Sequence, residues 1–369
     1  MNKVKLKDVC EAMASNIAQK DILVGSGDYP IYGASGFIGN VDFYKQERPY
    51  IGIVKDGAGV GRAYLLPEKS SVIGTMQYIL PKDNIDIKYL YYAIQYMRLE
   101  KYYSGATIPH IYFRDYQYEP ILLPDKKEQE QKTGVLEKID KLIANHEKMV
   151  KVLDTLVKSR FVEMFGSPIA NDKNLPIASL GSCLQGIENG KSFVCDSNSR
   201  TGKQPGVLKL SAATYGIYKP EENKAILSAD DFVEQAEVHA GDLLFTRKNT
   251  PELVGMSAYV WQTPEKLMMP DLIFRLIPNQ QMHPIFLWKL INHDVFRCKI
   301  QELATGTAKS MSNISKERLR NLEIIVPPIK LQNQFADFVV QTDKSKLAIQ
   351  QSIETIQTLK AKLMQDYFG

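Results

Sequence analysis

The segment from Pro124 to Gly166 is written a second time at the very end of the sequence, and no other feature limits the fold as much. Pro124-Asp125-Lys126-Lys127-Glu128-Gln129-Glu130-Gln131 opens one copy, and Pro327-Pro328-Ile329-Lys330-Leu331-Gln332-Asn333-Gln334 opens the other. Met164-Phe165-Gly166 and Tyr367-Phe368-Gly369 close them. Ile111 and Ile314, Pro124 and Pro327, and Gly166 and Gly369 all stand at one constant offset, so the block carries no insertion. An internal repeat of this kind must be settled before any fold is assigned.

Both copies read as long helices without an internal proline. In the first, Ile139, Leu142, Ile143, His146, Met149, Val150, Leu153, Leu156 and Val157 recur at steps of three and four; Ile349, Ile353, Ile356, Leu359 and Leu363 do so in the second. That narrow apolar stripe predicts a coiled-coil seam, and the natural mate of each helix is the other copy, antiparallel to it. His146 falls on the seam as a tolerated polar position. The alternative is two surface helices, each lying on its own domain.

The chain divides into residues 1–123, a helix region at 124–166, residues 167–326 and a second helix region at 327–369. Each globular part reads as mostly sheet, giving an α+β protein with approximate two-fold character. Strands are predicted at Tyr50–Val54, Ala63–Leu66 and Met76–Leu80, and again at Asp242–Phe245, Ser257–Trp261 and Leu272–Leu276. A helix follows in each part, at about Lys88 to Tyr103 and about Pro284 to Leu303. Next come a Gly-Thr loop and a last strand, Tyr118–Leu123 or Leu322–Val326.

A length of 369 residues accommodates two ordinary cores. No apolar run approaches the ~20 residues of a membrane span, and the first residues have no signal-peptide pattern. Four cysteines without a CxxC spacing suit a reducing cytoplasm. The net charge of +4 permits a nucleic-acid partner without requiring one. The catalytic look-alikes fail on context. Gly33-Ala34-Ser35-Gly36-Phe37-Ile38-Gly39 lacks the strand before and the helix after that a dinucleotide site needs. Tyr78 and Lys82 are separated by Pro81, which forbids their sharing a helical turn. Gly186 to Ser192 falls one residue short of a phosphate loop, and the five histidines have no metal-ligand spacing. No cofactor or metal site is expected in this chain.

The layout resembles the specificity subunit of type I restriction–modification systems. The likeness rests on Tyr29 to Gly36, the Lys-Asp-Gly-Ala-Gly turn at Lys55, Gly105 to His110, Gly306 to Ile314, and the Pro-x-x-x-x-Gln-x-Gln openings. It implies two target-recognition domains, each reading one half of a split double-stranded DNA site. It also implies paired helices that serve as spacer and as docking surface for two methyltransferase subunits, with a restriction–translocation subunit beyond them. S-adenosylmethionine, ATP and Mg²⁺ would then belong to those partners, and the setting would be the cytoplasm of a bacterium or archaeon. From Ile139 to Phe165 a helix rises roughly 40 Å, close to one DNA turn of ~34–36 Å, so the coil is expected to act as a ruler.

For the first domain the expected DNA contacts are Tyr32, Ser35, Lys55, Gly57, Gly59, Arg62, Ser104, Thr107 and His110. For the second they are Arg247, Lys248, Asn249, Thr307, Lys309, Ser310 and Asn313. Glycines let backbone amides approach phosphate, and the cationic and amide side chains suit phosphate or base edges. The second turn, Arg247 to Pro251, lacks the glycines of the first, so the two domains should read different half-sites. A two-headed coiled-coil adaptor that binds protein is the alternative function.

Overall fold

The computed structural model describes residues 2–22, 25, 27–105, 109–305 and 311–369. The chain resolves into two compact units. One holds the residues up to Met149 together with Ile349–Gly369, and the other holds Val150–Ala348. The architecture is α+β: two mostly-β domains and two 40-residue helices, Lys126–Phe165 and Ile329–Phe368.

The first unit is built on an antiparallel sheet of β2 (Cys10–Ala14), β8 (Met76–Pro81), β5 (Tyr50–Val54) and β6 (Ala63–Leu66), in that order. Every residue of β5 is buried, as a central strand with both faces covered should be. A smaller sheet joins β4 (Gly36–Val41), β3 (Tyr29–Gly33) and β7 (Ser71–Val72), and β1 (Asn2–Lys5) pairs with β9 (Pro120–Leu123). The second unit repeats these parts. Its main sheet runs β11 (Leu184–Asn189), β18 (Ile273–Pro278), β14 (Leu243–Thr246), β16 (Ser257–Tyr259), and β10 (Ile177–Ser179) pairs with β20 (Glu323–Ile325). Leu6 N–H donates to the Glu119 carbonyl in one unit and Leu180 N–H to the Leu322 carbonyl in the other, and both leucines are fully buried. The Gly33–Gly39 glycines form the hairpin between β3 and β4, with Gly36 at φ +104°.

The repeated Pro-x-x-x-x-Gln signature has a structural cause. Gln129 and Gln332 are each 0% exposed. The Gln129 amide donates to the Pro124 carbonyl (2.9 Å) and its Oε1 accepts from Asp86 N–H (2.7 Å), at the cap of the helix Ile87–Met97. Gln332 does the same for the Pro327 carbonyl (2.7 Å) and His283 N–H (2.9 Å), at the cap of the helix Pro284–Ile291. Each glutamine thus fastens the start of a long helix to its domain, leaving no buried polar atom of its own unpaired. The far end of a long helix completes each core: Phe368 lies 5.0 Å from Tyr89 in the first unit, and Phe165 lies 4.8 Å from Phe286 in the second.

Two sequence expectations change here. The helix predicted from Lys88 to Tyr103 ends at Met97, because Arg98 turns left-handed at φ +50°. The helix predicted from Pro284 to Leu303 is broken into Pro284–Ile291 and Arg297–Glu302. Asn292 causes that break: its Oδ1 accepts from Ser257 N–H and its amide donates to the Ser257 carbonyl, tying the chain to β16.

The long helices run antiparallel within each unit. Asp140 pairs with Lys360 and His146 with Ser352 in the first unit, while Asp154 pairs with Lys346 in the second. The His146 Nδ1–H donates to the Leu142 carbonyl (2.8 Å), which leaves Nε2 to accept from the Ser352 hydroxyl. Ile139, Ile143, His146, Val150, Leu153 and Val157 turn inward at alternating steps of four and three, the heptad rhythm. Ile349, Ile353, Ile356 and Leu363 are partly buried on the opposite helix. Leu142, Met149 and Leu156 lie instead on the solvent side, 43%, 50% and 45% exposed, as does Leu359. They stand seven apart, one position before the inward residues, so the helix carries two apolar stripes where a single face was expected. Among the described residues no helix is long and apolar enough to cross a membrane.

Candidate nucleic-acid interface

In the first unit, the segment between β5 and β6 doubles back through three left-handed glycines, Gly57, Gly59 and Gly61, at φ +85°, +93° and +87°. A side chain at Gly61 would stand 2.7 Å from the backbone nitrogen of Glu100, so both conformation and space require glycine there. This turn meets the segment after Ser104. Gly57 N–H donates to the Pro109 carbonyl (3.0 Å), and Ile111 N–H to the Lys55 carbonyl (2.9 Å). Ser104 and His110 exchange both backbone hydrogen bonds at 2.9 Å. Side chains knit the same place: His110 Nδ1 lies 3.0 Å from Asp56 Oδ1, and Lys55 Nζ lies 3.2 Å from Asp56 Oδ2. Tyr112 stacks on His110, and the Arg114 guanidinium lies over the Tyr112 ring.

Lys55, Gly57, Ser104 and His110 are therefore brought together. Gly59 and Arg62 complete the turn, with Arg62 exposed and folded over Gly59. Tyr32 and Ser35 lie apart, on the β3–β4 hairpin, where Tyr32 packs edge-on against Phe37. That hairpin is tied to β6 by the Tyr64 hydroxyl, which donates to the Ala34 carbonyl. Thr107, Thr307, Lys309 and Ser310 lie outside the described residues.

The second unit builds the corresponding corner with other side chains. Ile314 N–H donates to the Arg247 carbonyl (2.8 Å), as Ile111 does to Lys55. Thr305 and Asn313 exchange both backbone hydrogen bonds at 2.9 Å, as Ser104 and His110 do. Here β15 (Lys248–Asn249) pairs with β19 (Ser312–Asn313), placing Lys248 opposite Asn313. The Arg247 guanidinium donates to Asn313 Oδ1 (3.2 and 3.3 Å) and lies over the Phe274 ring. Lys248 Nζ stands 3.8 Å from Asp271 Oδ2. Arg247, Lys248 and Asn313 thus share one cluster. Asn249 differs, being buried: its amide donates to Thr214 Oγ1 and its Oδ1 accepts from Thr250 N–H, so it shapes the turn.

Sequence reasoning missed Asp56 and Asp271. Both are acidic residues inside basic clusters, and only the fold shows that they hold the neighbouring cations in place. Away from these corners, burial pulls the Lys289 ammonium down to about 8, against the opposing pull of Asp343. Burial raises the Tyr92 hydroxyl, which donates to Asp140 (2.8 Å). Both groups lie on the domain helices, and the Tyr92 bond ties its helix to the long one. Among the described residues no three His, Cys, Asp or Glu side chains gather in a metal-binding group.

A family model described as the type I restriction modification DNA specificity domain matches residues 1–154 and 187–360. The type I restriction enzyme EcoEI specificity subunit of Escherichia coli is 29% identical over 201 residues; the match spans 51% of this chain and 34% of that protein, about a third of its length. The MjaVIII specificity subunit of Methanocaldococcus jannaschii is 22% identical over 329 residues, covering 84% of this chain and 76% of its own. Among solved structures, the type I restriction–modification S subunit from M. genitalium shares the fold with a TM-score of 0.64 at 14% identity, covering 100% of this chain and 96% of that one. The family model takes in most of both repeats, and the chain belongs to the type I restriction–modification specificity family.

Proposed function

We propose that this chain reads a bipartite double-stranded DNA site, one half with residues 1–123 and the other with residues 167–326. The regions 124–166 and 327–369 then set the gap between the halves. The observation that carries this reading is the corner built twice on one backbone pattern and furnished with different side chains: Lys55, Asp56 and His110 in one copy, Arg247, Lys248 and Asn313 in the other. A duplicated scaffold with unlike polar surfaces suits a split target with unlike halves. Cationic groups held beside backbone turns suit phosphate or the acceptor edge of guanine, and the amide and carboxylate groups suit base edges.

The helices dock methyltransferase subunits and, through them, a restriction subunit. The exposed stripe of Leu142, Met149 and Leu156 supports that role, since a solvent-facing heptad of large apolar side chains is a surface suited to a partner helix. S-adenosylmethionine, ATP and Mg²⁺ belong to those partners, and the complex works in the cytoplasm. Replacing Arg247 and Lys248 by Glu is expected to lower DNA affinity at least 10-fold and to flatten its salt dependence, with assembly unchanged. Fluorescence anisotropy across a salt series measures this. Affinity for protein that ignores salt, with no DNA binding, would favour the adaptor reading.

A further inference from the structure

Asp56 and Lys248 occupy the same place in the two copies. Each follows the residue whose carbonyl accepts from an isoleucine N–H, Lys55 from Ile111 and Arg247 from Ile314. Each also faces, across a β-bridge, the residue that exchanges backbone bonds with a Ser or Thr: His110 for Asp56 and Asn313 for Lys248. At that shared position the charge is inverted, and the inversion reaches the neighbours. The carboxylate of Asp56 can only accept, so His110 donates to it from Nδ1. Asp56 is also pinned by Lys55, which fixes its direction and leaves lone pairs unused on both oxygens. In the other copy Asn313 spends its oxygen on Arg247, which leaves its amide N–H groups as donors at the position opposite Lys248 in the strand pair. Asp56, His110 and Lys248 all remain partly exposed.

We infer that this position is where the two half-sites are told apart. Asp56 with His110 reads an exocyclic amino group, of cytosine or adenine, and Lys248 with Asn313 reads the acceptor edge of guanine. The chemistry follows from the major groove, where C and A present amino donors and G presents O6 and N7. This inference rests on the DNA-reading function proposed above and adds to it the class of base met by each copy.

The test uses the complete methyltransferase complex and duplexes carrying its mapped site. In one half, each adenine other than the one that is methylated is replaced in turn by purine, and each cytosine by a pyrimidinone without the 4-amino group. In the other half, each guanine is replaced by 7-deazaguanine. The wild-type complex is expected to lose methylation rate on the order of 10-fold at one amino-deleted position and at one deaza position. Asp56→Ala and, independently, His110→Ala should become indifferent to the amino deletion while keeping the deaza effect. Lys248→Met should do the reverse. The effect that each variant retains reports an intact fold. If Asp56→Ala keeps full sensitivity to amino deletion, or wild type has none, the inference is overturned. A wild-type complex that methylates no split site would instead overturn the proposed function itself.

Discussion

At the residue scale, two buried glutamines do the most to hold the repeats in shape. Gln332 satisfies His283 N–H and the carbonyls of Pro327 and Gln281 from a fully buried position. Gln332→Ala leaves those groups unpaired, at ~1–3 kcal/mol for each buried group abandoned. It should destabilise its unit by about 3 kcal/mol in denaturant titrations, whereas Gln334→Ala, one turn position away and exposed, should change little. The signature was legible in the sequence as spacing, but its cause was not, because the partners Asp86 and His283 lie more than 40 residues away. Asp56 was illegible for a related reason. An acid beside a lysine argues against nucleic acid until the fold brings His110 onto its other oxygen.

At the element scale, the long helices carry two apolar stripes of different purpose. The inward stripe of Ile139, Ile143, Val150 and Leu153 joins the helix pair, while Leu142, Met149 and Leu156 stay outside it. Periodicity alone merged them, since both advance by seven. The exposed stripe is the surface proposed to dock a methyltransferase. Leu142→Ser, Met149→Ser and Leu156→Ser together should weaken methyltransferase binding by at least 10-fold without lowering the denaturation midpoint, as size-exclusion titration and circular dichroism would report. A lowered midpoint with unchanged assembly would place those side chains in the coil after all. The broken helix at Asn292 was hidden in the sequence because its amide answers Ser257, a strand residue that local propensity cannot see.

At the scale of the whole molecule, duplication explains why so much of the architecture could be read early. Constant spacing from Ile111 to Gly166 and from Ile314 to Gly369 exposed the repeat, and the repeat dictated two domains of one plan and two helices. The stretch from Gly190 to Ala240 stayed opaque, for its short strands at Gly206–Leu208 and Asn223–Ala225 carry no alternation and no counterpart spacing. The central claim is that the two copies read two unlike halves of one DNA site. Mapping adenine methylation by long-read sequencing, in cells with and without this gene and with its methyltransferase partner active, tests that claim most directly. One gene-dependent split motif with unlike halves around a fixed gap is expected. A continuous motif, two identical halves, or no gene-dependent methylation at all would contradict it.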